Sequence, residues 1–295
     1  MTNRYKVCAL IWTYNPEAQL LQRVVEATLK NVDYVFIVDN GSRNREVIES
    51  LKSENVEVIH LPLNLGVEAL NIGFNIITSR NLCDWILILD DDSIIVQANA
   101  VKEVLSKYES LPEELKRRIA VISLSDLESV PLTLKNKLSS APSEALIVHY
   151  DAIIFSGALI RAEVISKHCL RIEKEFFMYH ADTEFFTRVR RHGYLTVIYT
   201  KRLLQHRLGL PLNKPINLGF YEIKSTIKPN RFYYITRNAT YLLVRRRISP
   251  LQWLFSILRF AIPLILQDFR TTMKVFLLGF IDGVMGMLGI YQYLR

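Results

Sequence analysis

Trp85-Ile86-Leu87-Ile88-Leu89-Asp90-Asp91-Asp92-Ser93 is the stretch on which the fold turns. Five apolar residues without a polar break do not alternate as a half-exposed strand would; they suit a strand covered on both faces of a parallel sheet. Working outward, similar short β-rich runs occupy Val7-Cys8-Ala9-Leu10-Ile11, 35–38 and 56–60. Segments of helical pattern fall between and after them, near 19–30, 45–54, 67–80 and 98–108. This rhythm predicts right-handed βαβ crossovers and a mainly parallel, doubly wound α/β sheet. Each strand ends in small polar or acidic residues: Thr13-Tyr14-Asn15-Pro16, Asp39-Asn40-Gly41-Ser42, Asn64-Leu65-Gly66 and the acidic triplet. Open α/β sheets bind ligands at that edge. The chain has neither GxGxxG after its first strand nor GxxxxGK[ST] anywhere, which argues against dinucleotide and P-loop enzymes.

With 295 residues, half of them apolar and 22% charged, the chain has the composition of a globular protein of about two units. It carries 37 Lys and Arg against 29 Asp and Glu, a net charge of +8. A basic balance favours phosphorylated ligands, nucleic acid or an anionic membrane surface. No nucleic-acid motif accompanies the basic and aromatic residues 231–238, so nucleic acid is not expected as a partner. Cys8, Cys83 and Cys169 are odd in number and widely spaced, so they are expected to be unconnected buried hydrophobes in a reducing compartment. Residues 1–6 lack the apolar region of a signal peptide, which places the protein by expectation in the cytoplasm.

Three adjacent aspartates at a strand end could simply cap a helix and solvate a turn. Delivered into a ligand crevice, however, like charges are costly unless a cation is bound. Hard carboxylate oxygens suit Mg²⁺ or Mn²⁺, which keep coordination positions open for a substrate diphosphate.

The strand-end segments, with Asn64-Leu65-Gly66-Val67-Glu68-Ala69-Leu70-Asn71-Ile72-Gly73 among them, resemble the successive motifs of family 2 glycosyltransferases, particularly the rhamnosyltransferase and galactofuranosyltransferase-like group. The resemblance implies a GT-A fold and a nucleoside-diphosphate sugar donor of the UDP or dTDP type. It places Thr13, Tyr14, Asn15, Asp39, Asn40, Asn64, Gly66, Asp90 and Asp91 around the nucleotide, Asp39 facing the base. Asp92 would ligate the metal. A lone His is more often structural, but His206-Arg207-Leu208-Gly209 fits the family's His-x-x-Gly segment, which makes His206 the second metal ligand. Ser156 and Gly157 resemble the lining of the sugar and acceptor pocket, although a strand glycine needed for packing reads the same way. Asp182-Thr183-Glu184-Phe185-Phe186-Thr187-Arg188 fits the family's D-x-[DE]-aromatic-x-x-Arg motif. By itself Asp182 reads as a helix N-cap. The resemblance makes it the general base and puts Glu184 in the acceptor pocket. A single base suffices when the leaving group is a metal-stabilised diphosphate, whereas glycoside hydrolysis needs a second, protonated carboxyl. The resemblance adds inversion at the anomeric carbon and a glycan or lipid-linked acceptor.

Residues 125–145 read as a surface loop and 210–230 as a lid. Beyond them, Arg245-Arg246-Arg247 precedes two apolar stretches, 251–266 and 275–290, interrupted by Arg259, Pro263 and Asp282. Neither supplies the ~20 uninterrupted apolar residues of a span. They predict an α-helical appendage lying at an anionic leaflet, or else packed on the catalytic domain or a second copy. The expected division is a catalytic domain over 1–230, with a nucleotide-sugar half to about 115 and an acceptor half from 116, and a helical tail over 231–295. The competing reading is a non-catalytic nucleotide-sugar-binding protein at a membrane surface. A nucleotidyltransferase would need a Gly- and Arg-rich triphosphate loop that the N-terminus lacks.

Overall fold

A computed structural model describes residues 5–124, 142–150, 153–206, 209–217 and 222–290. The chain divides into two compact units, one of residues 1–172 and 185–207, the other of 173–184 and 208–295.

The first unit is built on β1 (Val7–Thr13), β2 (Tyr34–Asp39), β3 (Val56–His60) and β4 (Trp85–Asp90), with α1 (Ala18–Leu29), α2 (Arg45–Glu49) and α3 (Glu68–Ser79) between them. The short β5 (Ile94–Ile95), α4 (Ala100–Glu109), α5 (Glu113–Arg118) and β6 (Ile119–Ser123) follow. Beyond these come β7 (Leu146–Val148), β8 (Ala158–Arg161), α6 (Ala162–Lys167), α7 (Ala181–Arg191), β9 (Leu195–Tyr199) and β10 (Leu204–Gln205). The large sheet runs β3-β2-β1-β4-β8-β6-β9-β7. The first four strands are parallel, as their continuous apolar runs require, and β1, β2 and β4 are buried almost throughout. Two strands depart from the doubly wound expectation. β8 lies antiparallel between β4 and β6, and β7 antiparallel on β9. The loop expected over 125–145 falls mostly outside the described residues; by 146 the chain is already a strand.

Register decides what the carboxyl edge displays. Thr13 pairs with Asp39, and Trp12 with Asp90, so the polar ends of the three central strands are level with one another. Cys8 on β1 and Cys83 before β4 are brought side by side, their Cα atoms 5.8 Å apart. Spacing could not reveal this, because the pairing of β1 with β4 is what closes the 75-residue separation. Cys169 is exposed rather than buried.

In the second unit a short 3₁₀ turn, Lys174–Phe176, leads to the start of α7. The stretch expected as a lid forms an antiparallel ribbon, β11 (Leu210–Asn217) with β12 (Glu222–Thr226). Then come α8 (Pro229–Val244), α9 (Pro250–Gln267) and α10 (Phe269–Met285). Proline occupies the first turn of both α8 and α9, where its missing N–H costs nothing. Ser249 and Gln252 close a reciprocal capping box at the start of α9. α8 is the core of this unit, buried from Phe232 to Thr240. α10 approaches it through Gly279 and Gly283, where a Cβ would lie 2.7 Å from Tyr233 O and 2.5 Å from Arg237 O. By length and apolar composition α9 is the one helix among the described residues able to cross a membrane, and 22% of it is buried.

Candidate active site

β4 delivers the acidic triplet into a tightly specified turn. Ser156, buried, accepts from the main-chain N–H of Asp90 at 3.2 Å and donates to Ser93 Oγ at 2.6 Å. Beside it Gly157 holds φ +84°, and a Cβ there would meet Leu204 Cδ2 at 2.7 Å. Its N–H donates to Ile88 O at 2.8 Å. Both residues thus support the turn from below.

The three carboxylates are placed in different surroundings. Asp91 points back toward β1, where Thr13 Oγ1 donates to its Oδ2 at 2.6 Å. Burial raises its pKa, and the charges of Asp90 and Asp92 add to this. Hydrogen bonds from Thr13 and the Tyr14 N–H offset part of the rise, leaving Asp91 at about 6. Asp90 and Asp92 face His206 just after β10, with Nε2 3.2 Å from Asp90 Oδ2 and 3.3 Å from Asp92 Oδ1. Burial opposes charge on this imidazole, yet hydrogen bonds to the two carboxylates and their charges prevail and hold it at about 10.

Asp90, Asp92 and His206 each offer one ligand atom, and these atoms all lie within 4.8 Å of one another. Asp92 Oδ1 meets the His206 ring, and His206 Nδ1 is buried without a hydrogen-bond partner among the described residues. Two hard oxygens and one imidazole nitrogen fit a divalent cation. Asp90 is the residue that sequence reasoning assigned elsewhere. Trp12, which it missed, donates from Nε1 to Asp90 Oδ1 at 2.5 Å, the kind of outer contact that orients a metal ligand. Its signal was the pairing of β1 with β4, which no local pattern announces.

The other strand-end residues are largely spent on the fold. Asp39 is fully buried; it accepts from Ser42 N at 2.9 Å and lies 2.8 Å from His60 Nδ1. Asn40 donates to Gly66 O and accepts from Leu65 N, at 3.0 and 2.7 Å. Asn64 accepts from Gly66 N at 2.9 Å. Asn15 donates its N–H to Ser42 Oγ and accepts from Arg43 N, at 2.7 and 2.8 Å. These bonds fasten three turns to one another. Tyr14, 48% exposed, presents an aromatic face at the same edge.

In the second unit, Asp182 lies inside the first turn of α7 rather than at its cap, since the helix begins at Ala181. Its Oδ1 accepts from Thr183 N at 2.7 Å. A carboxylate there is favoured by the helix dipole, and Arg188, Arg190 and Arg191 complete the complementary charge at the other end. His180, just before the helix, is held down at about 4 by desolvation and is neutral at pH 7. Glu184 is buried, and Arg247 Nη1 donates to its Oε1 at 2.7 Å, a partner that sequence reasoning did not find.

Residues 8–118 match the family described as Glycosyl transferase family 2. Over 301 aligned residues the chain is 26% identical to the dTDP-rhamnosyl transferase RfbF of Shigella flexneri, covering 97% of this chain and 98% of that relative. Among solved structures, GalNAc-T7 with UDP, GalNAc and Mn²⁺ matches with a TM-score of 0.54 at 14% identity, over 84% of this chain and 52% of that one. That likeness shows the GT-A fold. S. aureus TarS 1-349 in complex with UDP matches with a TM-score of 0.48 at 13% identity, over 95% and 92% of the two chains. Transfer from a nucleotide sugar accounts for an apolar strand that ends in three carboxylates at a ligand edge; residues 8–118 are similar to the family 2 glycosyltransferases, and the chain over nearly its whole length to a rhamnosyl transferase.

Proposed function

We propose that this enzyme is a metal-dependent, inverting transferase that moves a deoxyhexose from a dTDP-sugar, rhamnose first among them, to a hydroxyl of a glycan or lipid-linked acceptor. The observation that carries the metal-dependent site is the Asp90, Asp92 and His206 cluster, whose ligand atoms all lie within 4.8 Å of one another. The whole-length likeness to a dTDP-rhamnosyl transferase supports the choice of donor. Asp90, Asp92 and His206 would hold Mg²⁺ or Mn²⁺, with Trp12 fixing the Asp90 carboxylate and Ser156 its main-chain N–H. When bound, the cation supplies charge neutralisation for the diphosphate leaving group. Asp91, turned toward Thr13, shapes the turn rather than ligating. Asp182 removes the proton of the acceptor hydroxyl as that oxygen forms its bond to the anomeric carbon and the bond to the diphosphate breaks. The acceptor oxygen enters opposite the leaving group, so the configuration inverts. Glu184, neutralised by Arg247, is held apart from this proton transfer.

We further propose that α9 and α10 rest on an anionic bilayer. Leu251, Leu254, Phe255, Leu258, Ile265 and Leu266 form an exposed apolar stripe on α9, opposite its buried Ile257, Ala261 and Leu264. Exposed Arg245, Arg246, Arg270 and Lys274 are available to the headgroups. Facing a second copy, the same cations would repel one another.

The test is calorimetry with a panel of dTDP-, UDP- and GDP-sugars, with Mn²⁺ and then with EDTA. Metal-dependent binding of dTDP-rhamnose is expected. Binding that is indifferent to EDTA would remove the cation from the site, and binding confined to UDP-sugars would overturn the donor.

A further inference from the structure

The segment entering α7 has a backbone that is costly to hold. Phe177, Tyr179 and His180 have φ of 63°, 53° and 58°, left-handed conformations that residues bearing a side chain rarely adopt. Such a run persists only where its surroundings over-determine it. Two adjacent side chains of α8 do so. Arg237 Nη2 donates to the carbonyls of Glu175 and Phe176 at 3.2 and 3.0 Å. Asn238 Nδ2 lies 3.0, 2.6 and 2.9 Å from the carbonyls of Phe176, Met178 and Tyr179. Arg237 Nε donates to Asn238 Oδ1 at 2.9 Å, which fixes the amide with its NH₂ toward the segment. Arg237 Nη1 donates to Gly289 O at 2.5 Å.

A buried guanidinium is expensive, and an apolar residue would pack the middle of α8 more cheaply. Here its hydrogen bonds go to main-chain carbonyls, to Asn238 and to Tyr233 of the same helix, with the Tyr234 ring 4.9 Å from its guanidinium carbon. What the pair secures is therefore the path of residues 175–179, which ends three residues before Asp182. On the other side of Asp182, Glu184 is gripped by Arg247. The candidate base sits between two tethers of its own unit.

We propose that Arg237 and Asn238 are positioning residues, which set the place of the Asp182 carboxylate through the left-handed segment. This rests on the reading of Asp182 as the base. Displacing a reacting group by about 1 Å can cost ~10²-fold in rate. Asn238→Ala should therefore lower ~10²-fold the turnover number for dTDP release from dTDP-rhamnose and Mn²⁺, measured as the slow hydrolysis in which water replaces the acceptor hydroxyl, gives its proton to Asp182 and takes the rhamnosyl group. The KM for dTDP-rhamnose should stay within about twofold, and calorimetry should still count one donor site per chain. Asn238→Asp keeps the acceptor for Arg237 and removes the donor, so it carries the same test if the alanine variant does not fold. Arg237→Lys should show the same split.

Unchanged turnover, or a loss that merely matches a fall in the number of donor sites, would overturn the proposal and leave the pair a purely structural element. The Asp182 reading fails separately, if Asp182→Asn releases dTDP at the wild-type rate.

Discussion

Asp90, Asp91 and Asp92 are chemically identical neighbours with two different assignments, and the difference comes from what each meets. Asp91 turns into the fold against Thr13, which leaves its carboxyl raised to about 6. Asp90 and Asp92 meet His206 and supply the oxygens of the candidate cation site. His206→Ala should weaken Mn²⁺-dependent donor binding ~10–100-fold, and Trp12→Phe, which only frees Asp90 to rotate, by about tenfold. Titration of each variant with Mn²⁺ checks both; an unaltered Mn²⁺ dependence in His206→Ala would exclude it as a ligand. Asp182→Asn is expected to lower turnover ~10²–10⁴-fold with donor affinity retained. Loss of donor binding would instead make Asp182 part of the nucleotide site.

At the scale of elements, the contact of α8 with α10 gives the sharpest prediction. Replacing a helical glycine by alanine ordinarily stabilises by about 1 kcal/mol through backbone entropy. At Gly283 the added methyl carbon would stand 2.5 Å from the carbonyl oxygen of Arg237 and 2.7 Å from Thr240 Cβ. Main chain cannot give way as a side-chain tip can, and overpacking costs about 1–3 kcal/mol. Gly283→Ala should therefore lower the urea midpoint. A raised midpoint would mean that the two helices are not in such close contact. The ribbon of β11 and β12 illustrates the opposite lesson. Pro211, Asn213, Lys214 and Pro215 carry turn and breaker signals, yet the segment pairs as a strand with a register shift between Pro211 and Ile216. On a two-stranded ribbon, prolines can face away from the single partner.

For the whole molecule, charge and apolar surface point the same way. Residues 229–290 contain only Asp268 and Asp282 as acids, and Asp282 accepts from Tyr233 OH at 2.5 Å. Moving one leucine side chain from water into an apolar phase is worth about 1.5–3 kcal/mol, and each 1.4 kcal/mol is tenfold in affinity. The Leu254→Glu, Leu258→Glu double variant should accordingly lose at least ~10-fold in binding to phosphatidylglycerol vesicles, with calorimetric dTDP-sugar affinity intact. Flotation with neutral vesicles as the control reads this out. A concentration-dependent dimer that the same double variant dissolves would instead assign the stripe to a second copy.

By itself the sequence determined the parallel half of the sheet, the polar edge and the chemistry gathered there. Apolar runs such as 85–89 and 35–38 are long enough to need cover on both faces, and the residues ending them must then lie at one edge. Those are local properties, so they are legible locally. Tertiary structure alone decided which partner each acid meets. Asp90 joins His206 only because β10 pairs with β5, just beyond the triplet; Trp12 reaches Asp90 only through the register of β1 on β4. Asp39, Asn40 and Asn64 hold turns at the same edge, a use that spacing does not separate from nucleotide contact. Arg237 and Asn238 lie some sixty residues from the carbonyls they hold, and no periodicity spans that distance. Contacts between residues distant in the chain depend on packing, and packing is settled only when the whole unit folds.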